Sequence, residues 1–485
     1  MINWRLLSKI LGQLLGIEAV MLIVCIIMSL SYHESDAVAF GWALGATLLT
    51  ALILLWYGRD ASTFLNRREA YLIVSLSWVV FSFLGSIPFM ASGSLTTLTD
   101  AYFETMSGFT TTGASLIDDV ERLPHAILFW RSLTQWIGGL GIVFFTIAII
   151  PSLVEGGVRV FSAEATGPMR TKLHPRLSTT AKWIWGIYIF ITVVCAILFW
   201  IEGMDAFDSV NYAMTVTATG GFATHNSSTG YFHNPYIDYT AIAFMFLSGV
   251  SFTLLYLTVF KGRVRQLIKN SELRLFIFLV ASATAFIMVV LMHSCHYRAE
   301  DALRSSLFQV VSFATTTGVF NDDAGQWPHI TWVVLSVLMF FGGCSGSTAG
   351  GFKCVRGVMV LGVIRNELRR VLHPRAVLPV RVNKQPVPYS TQATLLGYFA
   401  LYLLLCLVTY FIMIITGVDS TNSITIALSC ASNVGPTLGL EIGPTMSWGM
   451  LPSMVKWLLS LLMLMGRLEI VSVVVLFTRS FWRDR

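Results

Sequence analysis

Residues 103–115 read FETMSGFTTTGAS. Three threonines and a glycine in a row make a poor helix and a poor core. Yet they stand between apolar stretches that end near Met90 and resume near Ala126. The interruption recurs three times. GFTTTGAS (108–115) is echoed by TVTATGGFAT (215–224), SFATTTGVFND (312–322) and CASNVGPTLG (430–439). Aligned on Gly113, Gly220, Gly318 and Gly435, the echoes lie one hairpin of apolar segments apart, the mark of an internal fourfold repeat. A tetrapeptide, LHPR, also appears at 173–176 and again two repeats later at 372–375.

The rest of the chain says what kind of molecule repeats this way. Of 485 residues, 55% are hydrophobic and only 12% charged, against about 25% charged in soluble domains. Apolar segments long enough to span a bilayer as helices recur from end to end. The first, Leu11–Leu30, follows Arg5 and Lys9 like a signal peptide, but it is too long and lacks a small-x-small cleavage site, so it reads as a retained span. Seven scattered cysteines (25, 195, 295, 344, 354, 406, 430) form no C-x-x-C pair and read as buried helix residues, not a disulfide framework or metal site. The net charge of +6 then bears on membrane topology, and no nucleic-acid partner is expected.

Basic residues concentrate in GRDASTFLNRRE (58–69), GVRVFSAEATGPMRTKLHPRLSTTAK (157–182), FKGRVRQLIKNSELR (260–274), RNELRRVLHPRAVLPVRVNK (365–384) and the tail RSFWRDR. With the N-terminus, Lys353 and Arg356 on the same side, only Arg122, Arg131, Arg298, Arg304, Lys456 and Arg467 of the 32 Lys and Arg are left over. The positive-inside rule places that side in the cytoplasm, with both termini. The opposite loops are acidic. Two spans (Leu11–Leu30, Ala37–Tyr57) precede four pairs. Outgoing spans cover about Tyr71–Ser92, Trp183–Trp200, Leu275–Met292 and Thr394–Thr416. Returning spans cover about Leu128–Ile150, Tyr239–Phe260, Ile330–Ile364 (interrupted) and Met454–Phe477.

Within each pair lies a stretch too short to cross: Asp100–Phe109, Asp208–Val216, Asp301–Ala314, Thr421–Ala431. Each opens with Asp or Thr, good N-cap types. A short helix entering from outside points the negative end of its dipole at the membrane centre. Non-helical backbone at that depth survives only when protein buries it or it lines a watery cavity. One such segment alone reads as an extracellular turn. Four in register read as a ring of backbone carbonyls, which can replace the hydration shell of a monovalent cation. The expected fold is an all-α polytopic membrane protein with ten transmembrane helices plus four short re-entrant pore helices in a pseudo-fourfold arrangement. The divisions are 1–68 (two N-terminal helices), 69–178, 179–271, 272–390 and 391–485 (one repeat each).

Four repeats of span, pore helix, Gly-containing loop and span resemble the Trk/Ktr/HKT superfamily of potassium transporters. FWRSLTQWIGGLGI (129–142), GGCSGSTAGG (342–351) and the four glycine signatures look most like its bacterial TrkH branch. The resemblance covers the whole chain. It implies potassium uptake across the bacterial inner (plasma) membrane, with K⁺ as the transported ion and no organic cofactor. It implies K⁺ binding by backbone carbonyls at Thr111, Thr112, Gly113; Ala218, Thr219, Gly220, Gly221; Thr316, Thr317, Gly318, Val319; and Asn433, Val434, Gly435, Pro436. Serine in place of the first glycine accompanies sodium permeation in plant relatives; Gly113 is intact. The fourth repeat departs most, with Asn433-Val434-Gly435-Pro436. A TrkA-type cytosolic nucleotide-binding regulatory subunit and a homodimer are further implications. The basic cytoplasmic loops suit such a regulator or anionic membrane lipid.

The third returning span is broken by GGCSGSTAGG, where five glycines with Ser345, Ser347 and Thr348 cannot hold a helix. The stretch is not a phosphate-binding loop, because Phe352 stands where Gly-Lys-Ser/Thr would require lysine after Gly351. It reads as a pore-lining gate around Ser345, Gly346, Ser347 and Thr348, with small-residue helix packing the alternative. Arg467 lies midway along the last span, where a charge is expensive and marks function by default. A pair with Glu469 or snorkelling are the structural alternatives, although positions two apart share no helix face. An arginine here has a barrier role in the resembling family. Arg131 and Lys456, near outer span ends, read as interfacial anchors. Asp118, Asp119, Glu121, Asp322 and Asp323 read either as a cation-concentrating mouth or as solvated loops.

An enzyme would need H-E-x-x-H, G-x-S-x-G or paired intramembrane carboxylates, and none occurs. A two-repeat alternating-access carrier does not fit four repeats with one broken helix. Channel-like conduction and H⁺- or Na⁺-coupled symport both remain open from sequence.

Overall fold

The structure, a computed structural model, describes residues 2–61, 65–141, 177–376 and 378–483. Residues 142–150 of the first returning span, the first LHPR and most of the 157–182 loop lie outside the described residues.

Trp4–Ser31 and Ala37–Tyr57 form an antiparallel helical hairpin in which Gly12 lets the backbone approach Ala51 and Leu55. Each repeat then supplies an outgoing helix, a short helix and a returning helix. The outgoing helices are Arg67–Leu84 (continued by Ile87–Ala91), Leu177–Ile201, Ser271–Ser294 and Tyr389–Ile415. The short helices are Leu98–Phe109, Ala206–Ala218, Ala299–Ala314 and Ser420–Ser432, of 12, 13, 16 and 13 residues. At about 1.5 Å per residue none reaches across a hydrocarbon core of about 30 Å. Their caps lie two or three residues upstream of the expected ones. Thr97, Asp205 and Asp419 accept N–H bonds from the first turn, whereas the third helix follows Arg298 with no side-chain cap.

Among the described residues six helices are long and apolar enough to cross a membrane, or eight counting two bent pairs. The expected count of ten is not reached on this measure for a physical reason. In the third repeat His329–Phe341 is too short alone, and in the first His125–Leu140 runs up to the undescribed segment. The bends correct the expectation of a single broken helix. Pro235–Gly249 meets Phe252–Val259 at 102°, and Ser453–Arg467 meets Ile470–Phe477 at 118°. Glu469 makes the second break by adopting φ +60, a conformation that stops a right-handed helix.

The basic stretch 365–384, expected as loop, is partly helix. Cys354–Leu372 carries the third repeat beyond the interruption, followed by a small hairpin with Arg381–Val382 antiparallel to Gln385–Pro386. That hairpin holds the only strands among the described residues. Buried apolar residues form two clusters. One joins the N-terminal helices mostly to repeats 1 and 4, and the other lies mostly in repeats 2 and 3, with Val434 and Leu438 of repeat 4.

Candidate cation site

Each short helix ends the same way. The N–H of Thr112, Gly220, Thr317 and Val434 donates to the carbonyl five residues back, at Ser107, Thr215, Ser312 and Ser429, at 2.8–3.0 Å. This is the wide closure of a Schellman-type helix end. It requires a left-handed residue just before, and Thr111, Thr219, Thr316 and Asn433 occupy that position at φ +53 to +56. Three of the four are β-branched, so each stores strain of about 1–3 kcal/mol that the surroundings must hold.

A second left-handed residue follows two positions later: Gly113, Gly221, Gly318 and Gly435, at φ +77 to +100. The glycine of the second repeat is therefore Gly221, one residue beyond the Gly220 on which the sequence aligns. These four glycines close a ring. A β-carbon on Gly113 would overlap the carbonyl oxygen of Gly220, one on Gly221 that of Thr317, one on Gly318 that of Val434, and one on Gly435 that of Thr112. Each repeat touches the next, and the fourth touches the first. No alanine fits at those contacts.

On one side the ring floors a vestibule of about 110 Å³ lined by all four glycines, with Asp118 and Ser447 at its wall. Of the five acidic loop residues, Asp118 alone lines this space, and it accepts a bond from Ser447. Asp119 instead accepts from Asn226, Asp322 from Tyr297, and Asp323 from the backbone N–H of Gly325. Beside the vestibule His225 stacks on Tyr231 at 3.6 Å and lies between Asp208 at 2.9 Å and Glu121 at 3.4 Å. Burial pulls its pKa down, but the bonds to the two carboxylates outweigh this and raise it above its ordinary value.

On the other side lies the 342–351 loop. Gly350 N donates to Thr316 Oγ1 at 2.6 Å, and Thr348 Oγ1 donates to Thr217 O and Ser248 O, each at 3.2 Å. Gly346 O accepts from Phe252 N at 2.9 Å, at the bend of the second returning span. Arg467 reaches across. It donates to Thr111 Oγ1 (3.0 Å), Thr348 O (2.9 Å), Gly138 O and Gly139 O (both 2.5 Å). It thus ties the ring of repeat 1 to the loop of repeat 3 from a helix of repeat 4.

The backbone segments, loop and arginine singled out from sequence lie next to one another. Thr111–Gly113, Thr219–Gly221, Thr316–Gly318 and Asn433–Gly435 form the ring, with Ala218, Val319 and Pro436 flanking it. Ser345, Gly346, Ser347 and Thr348 lie in the loop, and Arg467 lies between the two. Asn433, the departure in the fourth repeat, is a strut whose Nδ2 donates to Thr112 Oγ1 at 3.0 Å and Met463 O at 2.9 Å.

Two expectations fail. Arg131 is no interfacial anchor. It is 2% exposed, lines the vestibule and pairs with the fully buried Glu104 at 3.0 Å. Glu104 also accepts from Leu116 N, and Arg131 donates to Ala223 O. Lys456 is likewise turned inward, to Asp100 Oδ1 at 2.6 Å. Sequence reading also missed Glu272, Lys353 and the Arg356–Glu469 pair at 2.5 Å, which surround the loop. Their signal was available, since Lys353, Arg356 and Glu469 are charges within or beside apolar runs.

Many apolar helices, four of them short and converging on a closed backbone ring, define a multi-pass membrane protein organised around a central axis. The family model described as "TrkH: Cation transport protein" matches residues 39–484, and the chain belongs to that family. It is 38% identical to the Trk system potassium uptake protein TrkH of Halomonas elongata, over 99% of both chains. It is 36% identical to the protein of that name from Escherichia coli, over 99% of this chain and all of the relative. The crystal structure of the potassium transporter TrkH from Vibrio parahaemolyticus superimposes with a TM-score of 0.90 at 33% identity, over 99% of this chain and all of that one. These relatives are named as transporters, so the family is not enzymatic.

Proposed function

We propose that the chain takes up K⁺ across the bacterial plasma membrane by channel-like conduction through the ring. The observation that carries this reading is the cyclic contact of four glycines with four carbonyls of the neighbouring repeats. A dehydrated monovalent cation needs several oxygens at once, and here four backbone segments bring theirs to one axis. The C-terminal ends of four short helices abut the ring, and each carries about half a negative charge, which favours a cation there. No titratable side chain belongs to the ring itself, so ion size and hydration decide what binds. The relatives' names specify potassium.

Below the ring, the 342–351 loop and Arg467 form the gate. Arg467 places a positive charge against the exit and ties the loop to the ring, so this arrangement is closed. Opening requires the loop to withdraw and Arg467 to release Thr348 O. Basic cytoplasmic segments support an orientation with both termini inside. They also give a TrkA-type regulator a surface on which to act; a homodimer follows the family.

The test is ion flux into liposomes containing the purified protein, comparing K⁺, Rb⁺ and Na⁺. Downhill K⁺ flux without a coupling ion is expected. A strict requirement for H⁺ or Na⁺ would instead assign symport, and no monovalent flux with or without regulator would overturn the reading.

A further inference from the structure

Two adjacent residues at the start of the third outgoing helix face opposite ways. Ser271 faces the cytoplasmic hairpin. Asn383 Oδ1 accepts from Ser271 N at 2.8 Å and Ser271 Oγ at 3.0 Å, and Asn383 N donates back to Ser271 Oγ at 3.2 Å. Glu272 faces the loop. Its Oε1 accepts from Ser345 N at 2.5 Å and Val355 N at 3.1 Å, near the two ends of the interruption. One buried carboxylate oxygen thus pins both ends of the segment that has to move.

The hairpin is built to hold its place. Asn383 and Lys384 form its two-residue turn with φ +50 and +68, the left-handed pair that such turns require. Val380, Val382 and Val387 are buried. Val380 packs on Gly362 of the helix that leaves the loop, and Leu378 O accepts from Asn366 of that helix at 2.8 Å. The hairpin therefore grips both the helix before the gate, at Ser271, and the helix after it. Asn270 caps Glu272 N and Leu273 N at 3.0 Å each, so residues 270–273 form one hydrogen-bonded turn.

We infer that Asn383 and Glu272 are positioning residues of one relay, through which the 378–388 hairpin holds the 342–351 loop closed. This rests on the conduction reading for its consequence, but not for its mechanics. Displacing Asn383 from Ser271 shifts the 270–273 turn, withdraws Glu272 from the Ser345 and Val355 amides, and frees the loop.

Asn383→Gly keeps the left-handed turn and the backbone N–H bond to Ser271 Oγ, and removes the two bonds that Asn383 Oδ1 accepts from Ser271. Basal K⁺ flux in liposomes should rise roughly three- to tenfold, the scale of one or two net hydrogen bonds. Amide exchange at Ser345 and Val355 should quicken while the ring amides Thr112, Thr317 and Val434 keep their protection. Glu272→Gln retains an acceptor oxygen and should stay near the unmutated protein, whereas Glu272→Ala should leak. Adding Asn383→Gly to Glu272→Ala should add nothing. Unchanged flux and unchanged exchange in Asn383→Gly would overturn the relay, as would effects that multiply in the double variant. Should Glu272→Ala fail to fold, Asn383→Gly and Glu272→Gln still decide it. If Arg467→Ala conducts while Asn383→Gly does not differ from the parent, the relay alone falls. If neither the parent nor Arg467→Ala conducts but exchange quickens in Asn383→Gly, the relay stands and the conduction reading falls.

Discussion

The ring and the loop beneath it are both non-helical backbone buried in an apolar bundle, yet they are held by opposite means. Each ring segment is fastened by its own short helix, through the same five-residue closure in all four repeats. The loop has no such repeated closure: beside one short turn of its own it is fastened from other elements, by the bend of the second returning span (Ser248, Gly249 and Phe252) and by Glu272, Arg467 and Thr316. Local, repeated restraints make a fixed object, while scattered, remote and partly charged ones make an object that can be let go. On the proposed function, this contrast suits discrimination at the ring and control at the loop.

The sharpest way to break this contrast is a β-carbon in the ring. Gly113→Ala places a methyl group on Gly220 O at φ +80, and cells that depend on this protein should lose K⁺ uptake entirely, measured as growth at limiting K⁺. Next in size is the ion pair at the vestibule wall. Arg131→Met strands Glu104 without its partner and should destabilise the protein by about 3–5 kcal/mol, read as thermal unfolding in detergent. Arg467→Ala should act in the opposite sense on function, raising flux about tenfold for each 1.4 kcal/mol of barrier removed. Unchanged flux would deny Arg467 its barrier role. Gly346→Ala meets little but Ser251 Oγ and is strained mainly by its φ of +75. A cost of about 1–2 kcal/mol to the closed loop should appear as a modest leak, far from the total loss at Gly113. Were the two glycines equally intolerant, loop and ring would not differ as argued.

The smallest effect concerns His225. Its pKa is raised in the folded protein, so the bridge between Asp208 and Glu121 contributes fully below the ordinary histidine value of about 6.5. That contribution is lost as pH rises through the raised value. Thermal stability should fall slightly over that window, and His225→Gln should flatten the slope. An unaltered slope would deny the bridge.

The same contrast explains what could be read in the sequence. Ring residues depend on neighbours within five positions and recur four times, so Thr-Thr-Gly and its echoes disclose both place and partner type. Even so, register slipped by one at Gly220-Gly221, because two glycines in a row satisfy the same pattern. The third-repeat interruption was legible from five glycines in ten residues. The bends at Val250–Ser251 and Leu468–Glu469 were not, since a single left-handed residue or an extended pair leaves almost no trace in composition. Arg131 was misread because its partner, Glu104, sits 27 positions away on another helix. Near a span end an arginine defaults to the interface unless a buried carboxylate is seen beside it. Asn383 and Ser271, separated by 112 positions, carry no local sign of their clasp at all.

Arg467 belongs to one repeat and the interrupting loop to another, and each is present once. In a pore assembled from four identical subunits any arginine would arrive in fourfold copy, and four guanidinium groups would crowd one exit. Any inserted loop would likewise have to share the axis with three replicas of itself. Joining the quarters in a single polypeptide lifts that copy-number constraint. Each quarter is free to specialise (on the proposed function, one as plug, one as its keeper and one as strut) while the circle they close keeps its common geometry.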